Sequence, residues 1–304
     1  MVIKANLIEV GKYMNIRGKK LYVETHGNPK NKPVLYLHGG PGESCYDFSF
    51  HQAERLKHSL YVIMIDQRGV CRSEEITEDE AFGLKDLIED CEELKKVLQI
   101  EKWSIIGHSF GGYVALLYAS IYPSSIEKII FEGPTFDFAL TSRALLQKTG
   151  HLLKKYGKEE VAKACLFYSS SNACSEELLK AYIRLSDELE EKRMELYNYK
   201  EDVTDESLYS DEEWEEFSNR SKIHFDKLKL EGAFHTSLLR KIKDVQNPML
   251  LIVGKYDAVT CEKQIDTFNK DAQNGEYIVF EESSHTPHYE EADRFAEIVI
   301  QFLK

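Results

Sequence analysis

Trp103-Ser104-Ile105-Ile106-Gly107-His108-Ser109-Phe110-Gly111-Gly112 runs straight on into Tyr113-Val114-Ala115-Leu116-Leu117, and this stretch decides how the chain reads. An apolar run of strand length ends at a glycine, and a second apolar run long enough for a helix begins two residues after Ser109. Between them lies Gly-x-Ser-x-Gly. A turn this tight leaves no room for side chains beside the serine, so glycines flank it on both sides. The serine hydroxyl is then displayed at the end of the strand. The helix behind it contributes amide donors and the positive end of its dipole where a negative charge could develop.

Further apolar runs lie on either side, at 34–37, 61–65, 128–131, 249–253 and 277–280, each followed by Gly, His, Asp or Glu. They read as strands buried on both faces. Helical patterns separate several of them. The stretch 79–98 carries a stripe of Leu84, Leu87, Ile88, Cys91, Leu94 and Leu98, and 111–122 and 289–303 are similar. Strand and helix in alternation predict an α/β fold with a mostly parallel central sheet. Ahead of it, 6–26 reads as an antiparallel hairpin turning near Arg17-Gly18. The alternation stops near Phe136 and resumes near Pro248. The interval is helical and charged, with 14 Asp/Glu against 3 Lys/Arg in 186–216, read as solvated helix faces. The expected division is a sheet core of 1–135 and 245–304, interrupted by a helical insertion of 136–244.

Composition narrows the functional classes. The 304 residues are 42% hydrophobic and 30% charged, enough to bury a core, and the net charge of −13 argues against a nucleic-acid or anionic-membrane partner. Six scattered cysteines (Cys45, Cys71, Cys91, Cys165, Cys174, Cys261) form no Cys-x-x-Cys and read as free thiols. The first residues hold no apolar core of signal-peptide length, and no unbroken apolar run reaches 18 residues, so the expectation is a cytoplasmic protein.

A serine hydroxyl needs a base to act as a nucleophile. Among ten histidines, His285 follows the last strand, where catalytic groups of open α/β sheets gather. His288 is the rival in the same loop. His108 is expected to point away from the cleft, and His38 to brace its own loop. For the acid that orients the base, Asp257 follows the strand 249–253; Glu132 and Asp137 compete, while Asp66 reads as part of a loop-bracing turn with Arg68. His38-Gly39-Gly40-Pro41-Gly42 exposes backbone after an early strand, so the Gly40 and Phe110 amides are the expected oxyanion donors. There is no phosphate-binding glycine fingerprint and no compact His/Cys cluster, so no cofactor or metal is expected.

His38-Gly39-Gly40-Pro41-Gly42, Asp66-Gln67-Arg68-Gly69, Gly107-His108-Ser109-Phe110-Gly111-Gly112, the turn from Gly254 to Asp257 and the His285 loop together resemble the α/β-hydrolase superfamily. Within it, the resemblance is to proline iminopeptidase-like serine hydrolases. It implies a triad in the chain order Ser109, Asp257, His285, an inserted helical cap, and action on peptides with an N-terminal proline or other small residue. Two positions depart from the pattern. Cys71 stands at the second glycine of Asp-Gln-Arg-Gly-x-Gly-x-Ser, and Phe110 stands where aminopeptidase members often carry Trp or Tyr. The resemblance also implies cap glutamates that hold the substrate's amine; Glu231 matches by location, with Glu213 and Glu216 as further candidates. The expected function is hydrolysis through an acyl-enzyme of short peptides or amino-acid amides. A small-molecule esterase or lactonase on the same triad is the alternative, separable by a panel of aminoacyl and acyl substrates. A ligand-sensing protein with little turnover is the alternative outside catalysis. A damaged triad or oxyanion loop would be its mark, and these elements are intact in the sequence.

Overall fold

Successive residues of a strand point to opposite faces of the sheet. In the computed structural model, which describes residues 11–304, that alternation divides the apolar strand residues between two cores. Val34, Tyr36, Val62, Met64, Ile106, Ile130, Leu250 and Ile252 join one, while Leu35, Leu37, Ile63, Ile65, Ile105, Phe131, Leu251 and Val253 join the other.

The chain runs β1 (Lys12–Ile16), β2 (Lys19–His26), β3 (Lys32–Leu37), α1 (Tyr46–Leu56), β4 (Leu60–Ile65), α2 (Leu84–Val97), β5 (Trp103–His108), α3 (Phe110–Ile121) and β6 (Ile126–Glu132). Then come α4 (Phe138–Lys155), α5 (Glu159–Ser170), α6 (Ser175–Ser186) and α7 (Asp211–Glu231), with short 3₁₀ turns among them. It closes with β7 (Met249–Gly254), α8 (Glu262–Asp271), β8 (Gly275–Phe280), α9 (Pro287–Glu290) and α10 (Ala292–Leu303). The strands form one sheet in the order β1-β2-β4-β3-β5-β6-β7-β8. The β1–β2 and β2–β4 pairs are antiparallel and every other neighbouring pair is parallel. Phe48 and Leu56 of α1 and Phe295 and Val299 of α10 cover one face. Leu87 and Leu94 of α2 and Val114 of α3 cover the other, in a core continued by Leu145, Leu146 and Leu153 of α4.

Arg17 and Gly18 take positive φ (49° and 80°) in the hairpin turn; residues 6–10 of the expected hairpin lie outside the described residues. Two helices differ from expectation. α2 begins at Leu84 rather than near 79, because extended Gly83 caps it and donates its N–H to Asp86 Oδ2 at 3.1 Å. The last helix is broken: Pro287 opens a short turn, and Glu291 (φ −131°, ψ 53°) separates it from α10. α1 and α8 were not singled out by the sequence pattern. Among the described residues no helix is long and apolar enough to cross a membrane.

The parallel strands all end on one side of the molecule. The loops leaving β3, β5, β6, β7 and β8 therefore converge there, as crevices in open α/β sheets do.

Candidate active site

Ser109 occupies the turn between β5 and α3 with φ 53° and ψ −117°. This conformation costs a non-glycine residue about 1–3 kcal/mol and persists only when its surroundings hold it. Here Ser109 N–H donates to the Glu132 carbonyl at 2.9 Å, and its own carbonyl accepts from Gly112 N (3.0 Å) and Thr135 N (3.2 Å). The flanking glycines make that close approach possible. A Cβ at Gly107 would sit 2.5 Å from the Gly111 carbonyl, and one at Gly111 would sit 2.0 Å from the Leu37 carbonyl. Ser109 lines a cavity of about 390 Å³, together with Gly40, Glu43, His108 and His285.

The loops after β7 and β8 bring two further side chains to it. The Asp257 side chain is wholly buried, and its Oδ1 lies 3.2 Å from His285 Nδ1. Val259 N–H donates to Asp257 Oδ1 at 2.7 Å, and Thr260 N–H to Oδ2 at 3.4 Å, so the carboxylate is oriented as well as charged. With the Nδ1 proton directed at Asp257, His285 Nε2 is left to accept a proton. Burial would lower the His285 pKa, but the Asp257 charge and hydrogen bond outweigh it and hold it above the ordinary 6.5. The His285 N–H donates to the Tyr197 carbonyl at 2.9 Å. Gly133, after β6, is what lets the pair meet: a Cβ there would lie 2.9 Å from His285 Nδ1 and 3.2 Å from Asp257 Oδ2. Sequence reasoning missed it, because a glycine ending a strand has many ordinary explanations.

His108 corrects an expectation. It lines the cavity instead of pointing away: its ring centroid is 4.7 Å from that of His285, and its Nε2 donates to the His285 carbonyl at 3.1 Å. Burial pushes its pKa down to about 4, so it remains a neutral brace at neutral pH.

The loop after β3 is held by His38, whose Nδ1 donates to the Gly39 carbonyl at 3.1 Å and whose Nε2 accepts from Gln67 N–H at 2.9 Å. Gly39 lies against Ser109, since a Cβ built there would be 3.0 Å from Ser109 Cβ. Gly40 faces the cavity. Phe110 N–H is the first amide of α3 and has no intrahelical acceptor, while the Phe110 ring is buried beside Tyr113 and Phe138. Behind this loop, Asp66 accepts from Cys45 N (2.9 Å) and Arg72 Nε (2.6 Å), and Arg68 grips Asp90 through two bonds of 2.7 and 2.8 Å. Cys71 takes φ 46° at the position where the resembling family has glycine.

His288, three residues beyond His285, has both ring nitrogens engaged. Nδ1 lies 2.9 Å from Glu132 Oε1, Nε2 lies 3.1 Å from Asp47 Oδ2, and the His288 N–H also donates to Glu132 at 2.7 Å. Burial would lower its pKa; Glu132, then Asp47, overcome that and hold it up at about 10. Asp137 caps α4, accepting from Leu140 N–H at 3.0 Å.

The structure does not bring the three candidate glutamates of 136–244 to the cavity. Glu231 ends α7, where the chain turns at left-handed Gly232, and accepts from Ala233 N–H at 3.1 Å. Glu213 accepts from Ser210 N–H at 2.8 Å in a capping box at the start of α7, and Glu216 pairs with Arg220. The Ser210-x-x-Glu213 spacing is the capping-box signature and was open to reading in the sequence. The carboxylates that line the cavity are Glu43, Asp47 and Asp202. Glu43 follows the glycine loop directly, a position whose only sequence signal was that adjacency.

Residues 32–292 match the family model described as alpha/beta hydrolase fold, and the chain belongs to that family. Within it the chain is similar to proteins named proline iminopeptidase. It is 27% identical to the proline iminopeptidase of Thermoplasma volcanium over 96% of each chain, and 24% identical to that of Saccharolobus solfataricus over 96% of this chain and 91% of the other. The crystal structure of a proline iminopeptidase-related protein from Thermus thermophilus superposes with a TM-score of 0.73 at 21% identity, covering 98% of each chain.

Proposed function

We propose that this α/β hydrolase is a serine aminopeptidase of the proline iminopeptidase type, acting through an acyl-enzyme on short peptides or amino-acid amides. One observation carries the chemistry: a serine in a strained elbow shares a cavity with a histidine whose far nitrogen is bonded to a buried aspartate. In this reading His285 Nε2 takes the Ser109 proton as Oγ attacks the carbonyl carbon. The Phe110 and Gly40 N–H groups hold the oxyanion. The tetrahedral intermediate collapses, the C–N bond breaks, and His285 gives its proton to the leaving amine. Water, deprotonated by the same base, then releases the acyl group and regenerates Ser109. Asp257 keeps the Nδ1 proton in place and stabilises the imidazolium.

Residues 136–244 are the cap in this reading, over a core of 1–135 and 245–304. The aminopeptidase specificity rests on near full-length similarity to proteins named proline iminopeptidases. It also fits the cavity, where Phe138, Leu145, Leu179, Phe225 and Val259 offer an apolar wall to a small side chain. The test is twofold. A fluorophosphonate should label the protein at Ser109 alone. An alanyl 7-amido-4-methylcoumarin should be cleaved with its amine free and resist cleavage once N-acetylated. Labelling elsewhere removes Ser109 from the role, and equal rates on the two amides leave an esterase-type hydrolase.

A further inference from the structure

Tyr197 is where the helical insertion touches the proposed base. Its carbonyl accepts the His285 N–H at 2.9 Å, and its ring centroid lies 5.6 Å from that of His285. The residues that follow are tied to the same loop. Tyr199 and Lys200 N–H both donate to Glu290 Oε1, and Glu290 Oε2 accepts at 2.6 Å from the N–H of Ser284, the residue before His285. The Tyr199 ring stacks on that of Tyr256, the residue before Asp257, with centroids 4.5 Å apart. The segment 196–200 is therefore fastened to both loops that carry the proposed base and its acid.

One side chain spans the two. Lys148, on α4, donates from Nζ to the Leu196 carbonyl at 2.8 Å and to the Tyr256 carbonyl at 2.9 Å. The first acceptor belongs to the residue before Tyr197, and the second to the residue before Asp257. A lysine kept only for solubility would carry its ammonium out into water on its flexible stem. This one is half-buried and turned onto two backbone carbonyls. Burial pulls its pKa below the ordinary 10.5, against the opposing pull of Asp257 and then Glu290. An ammonium suits the place because its three rotatable donors can serve two carbonyls of different orientation at once.

We infer that Lys148 is a positioning residue for the Ser109 reaction: it fixes the Asp257 turn against the 196–200 segment, so that His285 is held in one geometry from its backbone by Tyr197 and from its ring by Asp257. This rests on the triad reading above. The helical insertion is then part of the apparatus that aims the base, and not only a cover over the cavity. Lys148 acts through Asp257 and His285.

The experiment measures steady-state kinetics on 4-nitrophenyl acetate for wild type, Lys148→Met, Lys148→Arg, Asp257→Asn and the double variant, with a thermal melt of each. If Lys148→Met melts below the assay temperature, Lys148→Gln, which keeps one donor group, takes its place. We expect Lys148→Met to lower kcat roughly 10- to 100-fold with little change in KM, the scale set by a base displaced by up to about 1 Å. Lys148→Arg keeps a cation with several donors and should recover most of that loss. In the Asp257→Asn background the methionine substitution should cost no more than about 3-fold, because the geometry it protects is already gone. A loss that multiplies in full in that background overturns the inference, since Lys148 would then act independently of Asp257. Wild-type kcat in Lys148→Met, with Asp257→Asn impaired, overturns the inference and leaves the triad reading standing. Wild-type kcat in Asp257→Asn overturns both.

Discussion

Two histidine–carboxylate assemblies share the segment after β8, only three residues apart, and in the proposed mechanism they serve opposite purposes. His285 has one carboxylate, Asp257, and a second nitrogen turned to the cavity. His288 has two carboxylates, Glu132 and Asp47, and is completely buried. A base must exchange its proton, and a structural cation must keep it. One open nitrogen allows the first role, and two closed nitrogens enforce the second. The difference teaches that a histidine near a nucleophile is identified by its unfilled valence, not by its distance along the chain.

That contrast breaks most visibly under deletion of each ring. His285→Ala should lower kcat on 4-nitrophenyl acetate by about 10⁴-fold or more, matching Ser109→Ala, because the members of such a unit fail together. His288→Ala should instead strip the buried Glu132 and the partly exposed Asp47 of their cation, and leaving Glu132 buried without it should cost about 3–5 kcal/mol of stability in a denaturant melt. If His288→Ala proves the more damaging to kcat in protein that remains folded, the two roles are reversed.

Gly133 sharpens the comparison at the next scale. A methyl group added there meets His285 Nδ1 and Asp257 Oδ2, while the contacts of His288 lie elsewhere. Gly133→Ala should therefore reduce kcat by roughly 10²-fold through misplacement of the base. A variant with wild-type kcat would show that the two side chains can shift without loss.

The smallest effect is a displacement in pH. Asp257 holds the His285 pKa above 6.5, so the protonated, inactive imidazolium persists to higher pH than in an unpaired histidine. The acid limb of kcat/KM for the ester should lie above 6.5 in wild type and move down in Asp257→Asn, whose residual activity is low but measurable. His288 titrates near 10 and should leave no mark on that limb. As its folded pKa is raised, its stabilising contribution is full below the unfolded value and is lost as pH rises through about 10. A limb that stays in place in Asp257→Asn would remove Asp257 as the partner of the base.

Much of this architecture was legible in the chain. Apolar runs of strand length with helices between them announce a parallel sheet because each run must be buried on both faces. Gly107 and Gly111 betray the elbow because contacts of 2.5 and 2.0 Å admit no Cβ. These are local constraints, written into neighbouring residues. What needed the tertiary structure was every relation across the fold. The sheet order places β6 between β5 and β7, and so sets Gly133 under the meeting point of Asp257 and His285. It joins Glu132 to His288 and closes the rival base, though 156 residues separate them. It puts Glu43 on the cavity wall while α7 keeps Glu213, Glu216 and Glu231 occupied at its own surface and ends. Whether a carboxylate is a cap, a brace or a binding group depends on what stands within about 3 Å of it. For residues far apart in sequence, that distance is decided by strand order and loop convergence, which no spacing along the chain encodes.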